Sequence, residues 1–195
     1  MNRFQESIEF VFCLYESSYS PAFIRSWTSL CSYLNKKKIR YVTTQGDSCN
    51  AFYSRQMCLG GNVLAGPYQK PFQEKLKYKY LVFLGGNLSF SIENFLDLYN
   101  TIDCHSFDFL ATNIDDRNEL LEPFNNGLAK AKYIELDMAI IRKGVFETLE
   151  YPWFRPHKPK NSKEQQLVDV GICNRLRTEK DIELWVTDDI IVKRV

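Results

Sequence analysis

The first hundred residues alternate between short apolar runs and segments with helical spacing, and few architectures accommodate that alternation. Ile8-Glu-Phe-Val-Phe-Cys-Leu-Tyr15 is rich in β-branched and aromatic residues and reads as a buried strand. Ser20-Pro21 then opens a helix whose apolar positions Phe23, Trp27, Leu30 and Leu34 fall on one face. A second strand is expected at Ile39 to Thr43, and a helix from Cys49 to Leu59 that Gly60-Gly61 ends. Tyr78 to Leu84 is a third strand, closed by Gly85-Gly86-Asn87. Ser91 caps a helix with Ile92, Phe95, Leu96 and Tyr99 on one face. Strands alternating with helices predict an α/β sheet.

Beyond residue 105, strands are expected at Phe107 to Thr112, Tyr133 to Arg142, Glu183 to Val186 and Ile190 to Val192. Three prolines in Tyr151-Pro-Trp-Phe-Arg-Pro-His-Lys-Pro159 make that stretch an irregular loop. Ser162 and Gln165 form a capping box for a helix reaching about Arg177. No repeat or linker interrupts residues 1–195, so a single domain is expected.

Hydrophobic residues make up 45% of the chain and charged residues 25%, which excludes intrinsic disorder. With 25 basic against 24 acidic residues, the chain lacks the electrostatic footprint of a general nucleic-acid binder. The six cysteines include no CxxC pair, which argues against a structural zinc site. The first apolar run is too short for a signal-peptide core or a membrane span, so a cytoplasmic protein with reduced thiols is expected. The Lys36-Lys37-Lys38-Arg40 run reads as a solvated helix end; the alternative is contact with an anionic membrane, but no apolar anchor accompanies it.

Four segments in order resemble the GT-A family of nucleotide-sugar glycosyltransferases, in particular its small bacterial and large-DNA-virus members. They are Asn50-Ala-Phe-Tyr-Ser-Arg55; Tyr80-Leu-Val-Phe-Leu-Gly-Gly-Asn-Leu-Ser-Phe90; Ala139 to Leu149 with Tyr151-Pro-Trp-Phe154; and Val168-Asp169 to Arg177 with Leu184-Trp-Val and Ile190 to Arg194. The resemblance implies a mixed, mainly parallel sheet flanked by helices. It also implies transfer of a sugar from a nucleotide sugar, a UDP-sugar by family frequency, to a glycan hydroxyl, with inversion.

Two departures stand out. Gly85-Gly86-Asn87 occupies the family's Asp-x-Asp position, and Arg194, beside Lys193, stands where the family has a His. Glycines and one amide offer no anionic oxygen for Mg²⁺ or Mn²⁺, so no cofactor is expected. Lys193 and Arg194 are then the expected partners of the diphosphate. The alternative is a module on the same fold that binds sugar nucleotide or glycan without catalysis.

By the resemblance, Asp169 is the general base; taken by itself it reads first as an acid favoured in the first half of a helix. Gly85, Gly86 and Asn87 line the diphosphate site or simply turn the chain. Arg55 and Asp47 contact pyrophosphate, ribose or base, or are a surface helix residue and a loop residue. Tyr15 and Glu16 frame the nucleobase, although an aromatic at a strand end is more often core. Trp153, Phe154 and His157 form an acceptor platform or anchor their loop, and Asp137 touches a sugar or is a solvated strand-edge acid.

Overall fold

The computed structural model describes residues 7–46, 48, 50–115, 118–156 and 168–195. Its elements in chain order are β1 (Ile8–Leu14), α1 (Pro21–Lys36), β2 (Tyr41–Gln45), α2 (Ala51–Cys58), β3 (Tyr78–Leu84), β4 (Leu88–Ser89), α3 (Ile92–Cys104), β5 (Phe109–Thr112), β6 (Glu119–Leu120), β7 (Leu128–Tyr133), β8 (Met138–Arg142), α4 (Val168–Lys180), β9 (Leu184–Thr187) and β10 (Lys193–Arg194).

Eight strands form one mixed sheet in the order β2-β1-β3-β8-β5-β9-β7-β6, and β10 pairs with β4 in a separate ribbon. The central strands are buried on both faces, which explains their continuous apolar runs. Phe10, Phe12, Tyr80 and Val82 point to one face, where Phe23, Leu30 and Leu34 of α1 and Phe95, Leu98 and Ile102 of α3 cover them. Val11, Cys13, Leu81 and Phe83 point to the other, under Cys58 of α2, Ile172 and Leu176 of α4, and the loop carrying Trp153 and Phe154. The result is helices on both faces of one sheet.

The sheet is less parallel than expected. β1–β2, β1–β3 and β5–β9 are parallel, whereas β3–β8, β5–β8, β7–β9 and β6–β7 are antiparallel. The cause is the segment after residue 118. The strand expected over Tyr133 to Arg142 is the shorter β8, and an unexpected strand, β7, precedes it; the two sit apart in the sheet, each antiparallel to its neighbours. The expected strand at Ile190 to Val192 lies slightly later, at β10. The capping-box residues Ser162 and Gln165 lie outside the described residues. No helix among the described residues is long and apolar enough to cross a membrane.

Candidate functional site

Adjacent parallel strands β1 and β2 send their C-terminal connections to opposite faces of the sheet, one to α1 and the other to α2. The connections diverge and leave a crevice at the carboxyl edge, the position where open α/β sheets bind ligands. A cleft of about 300 Å³ opens there. It is lined by Tyr15, Glu16, Ser17 and Ser18 after β1, Ser48 and Ala51 at the start of α2, Arg55 one turn on, and Asp137 before β8.

Local packing fixes this edge. Gly46 N–H donates to the Leu14 carbonyl at 3.0 Å. Ser54 Oγ, fully buried, contacts the Gly46 carbonyl at 3.0 Å and the Tyr15 carbonyl, so α2 grips the ends of both strands. A side chain at Gly46 has no room, because its Cβ would fall 1.9 Å from the Ser54 carbonyl oxygen.

A chain of charged groups crosses the cleft floor. The Arg55 guanidinium lies 4.4 Å from the centre of the Tyr15 ring and pairs with both Asp169 oxygens, one at 3.2 Å. Asp169 also accepts from Leu136 N–H at 3.3 Å. The Tyr15 hydroxyl donates to Asp137 Oδ1 at 2.8 Å. Asp137 Oδ2 accepts from Arg194 Nε at 3.0 Å, and Arg194 reaches on to Glu135 and, at 3.4 Å, to Asp115. Burial pushes the Asp169 carboxyl above its usual range, against the opposing pull of Arg55. Burial also raises the Glu16 carboxyl, with Asp137 adding to it, while the Gly86 N–H and Arg55 oppose the rise. For Arg55 burial alone would lower the pKa, but Asp169 and Tyr15 outweigh it and keep the guanidinium charged.

The structure therefore joins Tyr15, Glu16, Arg55, Asp137, Asp169 and Arg194, residues spread from position 15 to position 194 of the sequence. Gly85 and Gly86 are buried beside them. Gly85 N–H donates to the Asp137 carbonyl at 2.7 Å, and a Cβ on Gly86 would lie 2.5 Å from the Ser18 carbonyl oxygen. Their lack of side chains serves this close approach of β1 and β3 connections. Asn87 accepts through its carbonyl from Val195 N–H at 2.9 Å, and the β4–β10 ribbon thus brings Arg194 to the end of β3.

Several expectations are corrected. Trp153 and Phe154 are fully buried, so neither offers a face to a sugar. Phe154 packs on Phe83 and Phe146, Gln56 Oε1 accepts from Trp153 N–H at 3.1 Å, and Arg175 donates to the Pro152 and Trp153 carbonyls. The proline loop is an anchored part of the core. Asp169 is only 8% exposed and does not line the cleft, because Arg55 takes up its oxygens. Lys193 is exposed, and side-chain alternation along β10 turns it away from the face that Arg194 uses. Asp47 and His157 lie outside the described residues.

The expected shortage of acids is also corrected. Asp115, Glu135 and Asp137 gather around Arg194 from segments that carry no part of the resemblance to an Asp-x-Asp strand. These residues do not fit a divalent cation in the family's manner. Gly85 and Gly86 supply no ligand, and the three carboxylates already hold a guanidinium. Among the described residues no group of three or more His, Cys, Asp or Glu side chains is placed to hold a metal ion. Ser17, Ser18, Ser48 and Glu135 were missed by sequence reasoning; the position of Ser17-Ser18 directly after Glu16 was the one available signal for the first pair.

No family model and no curated protein matches the chain. Among solved structures, the crystal structure of A197 from STIV is similar in fold. The two chains are 13% identical with a TM-score of 0.57, and the match covers 97% of this chain and 86% of that one.

Proposed function

We propose that the protein is a GT-A-like glycosyltransferase that takes its donor, a nucleotide sugar, into the crevice between β1 and α2. The observation that carries this reading is the position of Arg55. It is a charged, largely buried cation lining the cleft at the point where the β1 and β2 connections part, and its Nε has no hydrogen-bond partner among the described residues. That Nε is itself buried, so it is the charge of the guanidinium at the cleft wall that draws a diphosphate and offsets the charge that builds on the leaving group. Tyr15 and the Ser17, Ser18 and Ser48 hydroxyls suit a nucleoside.

In this reading Asp169 is a positioning residue that holds Arg55. The carboxylate that takes the acceptor proton is Glu16, which lines the cleft and whose raised pKa suits a base. The acceptor oxygen bonds to the anomeric carbon as the bond to the diphosphate breaks, the proton goes to Glu16, and the nucleoside diphosphate leaves. Arg194 is taken up by Asp115, Glu135 and Asp137 and does not line the cleft, so compensation of the leaving-group charge falls to Arg55. The donor is expected to bind without a divalent metal because Gly85 and Gly86 offer the metal no ligand. The donor expected is a UDP-sugar and the acceptor a glycan hydroxyl.

One observation favours a second reading. Five carboxylates (Glu16, Asp115, Glu135, Asp137 and Asp169) surround two arginines, and acids hydrogen-bond sugar hydroxyls better than they tolerate phosphate. That balance suits a module that binds glycan without transfer. Titrating UDP, UDP-sugars and free oligosaccharides separately, with a chelator present, distinguishes the two. The transferase reading predicts UDP binding and release of UDP in the presence of acceptor; binding of oligosaccharide alone supports the second.

A further inference from the structure

The edge of the sheet opposite the cleft carries a concentration of positive charge that the functional reading does not use. Backbone hydrogen bonds fix its members together. Glu9 N–H donates to the Arg40 carbonyl, Ile8 N–H to the Lys77 carbonyl, and Lys143 N–H to the Lys79 carbonyl, at 2.9, 2.9 and 2.8 Å. The starts of β2, β1 and β3 and the end of β8 are therefore side by side. α1, running back along the sheet, adds Lys36, Lys37 and Lys38 to the same edge, because Ile39 N–H closes onto Leu34. Lys36, Lys37, Lys38, Lys77, Lys79 and Lys143 are all exposed. The acids at this edge are taken up: Glu9 pairs with Lys79, Glu147 accepts from the Tyr78 hydroxyl and Gly144 N–H, and Asp103 accepts from the Tyr80 hydroxyl.

Capping accounts for only part of this. Lys36 lies in the last turn of α1, where a cation favours the helix dipole. Lys77 and Lys143 belong to other elements and cap nothing. In a chain of net charge +1, so many cations on one edge require acids elsewhere, and Asp108 and Glu183 begin β5 and β9 farther along. The basic region is thus confined to the β2–β8 half of the edge. Within it, half-buried Ile8, Ile39 and Tyr41 line a shallow hollow beside Lys38 and Arg40. These apolar groups are absent from a reading of the lysine run alone.

We propose that this edge docks on an anionic lipid surface. The exposed cations are lysines apart from Arg40, whose guanidinium donates to the Ser7 carbonyl at 2.7 Å, while half-buried Arg142 at the end of β8 donates to the Phe107 and His105 carbonyls. Lysines are mobile point charges that suit a fluid array of headgroups, whereas arginine forks suit fixed phosphates in a groove. The surface is an edge and not a groove, which disfavours nucleic acid. Docked this way, the protein presents its cleft away from the bilayer at about 20 Å, the length of a seven-residue strand.

The test is co-sedimentation of the full chain with vesicles of phosphatidylcholine alone and with about one phosphatidylserine in three. Wild type is expected to bind the mixed vesicles, to ignore the neutral ones and to dissociate as salt rises. Lys36→Ala/Lys37→Ala/Lys38→Ala should lower the partition about a hundredfold, at roughly fivefold per lysine, and Lys77→Ala/Lys143→Ala about twentyfold. All five side chains are exposed, and thermal melting checks that both variants stay folded. The proposal is overturned if wild type does not bind the mixed vesicles, if neither variant weakens binding, or if RNA captures the protein more tightly than the vesicles in the same salt. Nucleotide binding in the cleft is expected to be unchanged in both variants, so this result stands apart from the reading of the cleft.

Discussion

The Arg55 guanidinium stacks 4.4 Å from the centre of the Tyr15 ring and pairs at the same time with the Asp169 carboxylate, so one side chain joins the end of β1 to the start of α4. Its side chain is 8% exposed and that of Asp169 11%. Removing one partner strands the other charge in the interior. Arg55→Met is therefore expected to cost about 3–5 kcal/mol, and Arg55→Met/Asp169→Leu to recover most of that loss, because two apolar groups replace the pair. Urea unfolding of the three proteins measures it. A double variant no more stable than the single one would contradict the pairing.

Gly46 limits how closely α2 can approach β2. Gly46→Ala places a methyl against the Ser54 carbonyl and is expected to lose about 1–3 kcal/mol, with weaker nucleotide binding as Arg55 shifts. Gly66→Ala is the comparison: its positive φ of 77° is strained for alanine, but nothing lies within 4 Å, so about 1 kcal/mol is expected and nucleotide affinity should not change.

Trp153 belongs to the core. Trp153→Ala is expected to lower stability by about 3–5 kcal/mol through the cavity it leaves. If the folded fraction of that variant binds oligosaccharide as tightly as wild type, the residue has no part in sugar recognition; selective loss of sugar binding at unchanged stability would restore the surface role.

The Glu16 carboxyl is raised above its usual value of 4.5, so the native state holds its proton more tightly than the unfolded chain. The stability this contributes is complete below pH 4.5 and is lost as pH rises through the native value. Glu16→Gln has no such loss. Its stability relative to wild type should therefore grow as pH rises from 4.5 toward neutrality and then level off. A difference independent of pH in denaturant midpoints would show that the carboxyl is not perturbed.

Much of the fold was legible because its central strands are apolar on both faces. β3 coincides with the run Tyr78 to Leu84, and Ser91 caps α3 through Asn94 as its position suggested. β7 was not legible. Its Leu-Ala-Lys-Ala-Lys-Tyr buries Ala129 and Ala131 and turns Lys130 outward, a strand alternation written in residues of high helix propensity. At the site, Arg55, Tyr15 and Asp137, which the sequence singled out for nucleotide and sugar contacts, line one cleft. Depth was harder to read: sequence spacing does not say that Asp169 and Trp153 lie inside the core, since Arg55, Gln56 and Arg175 provide the partners that let them be buried. The acids around Arg194 were hidden for a related reason. Asp115, Glu135 and Asp137 come together only because β8 and β5 are neighbours in the sheet and the β4–β10 ribbon carries Arg194 to them.

The central claim is that the crevice beside Arg55 holds a nucleoside diphosphate sugar, and calorimetric titration of UDP-sugars and UDP with a chelator present tests it most directly. Wild type is expected to bind, and the stable Arg55→Met/Asp169→Leu variant to bind at least tenfold more weakly. Equal affinity in the two proteins, or no binding until Mn²⁺ is added, would contradict the account.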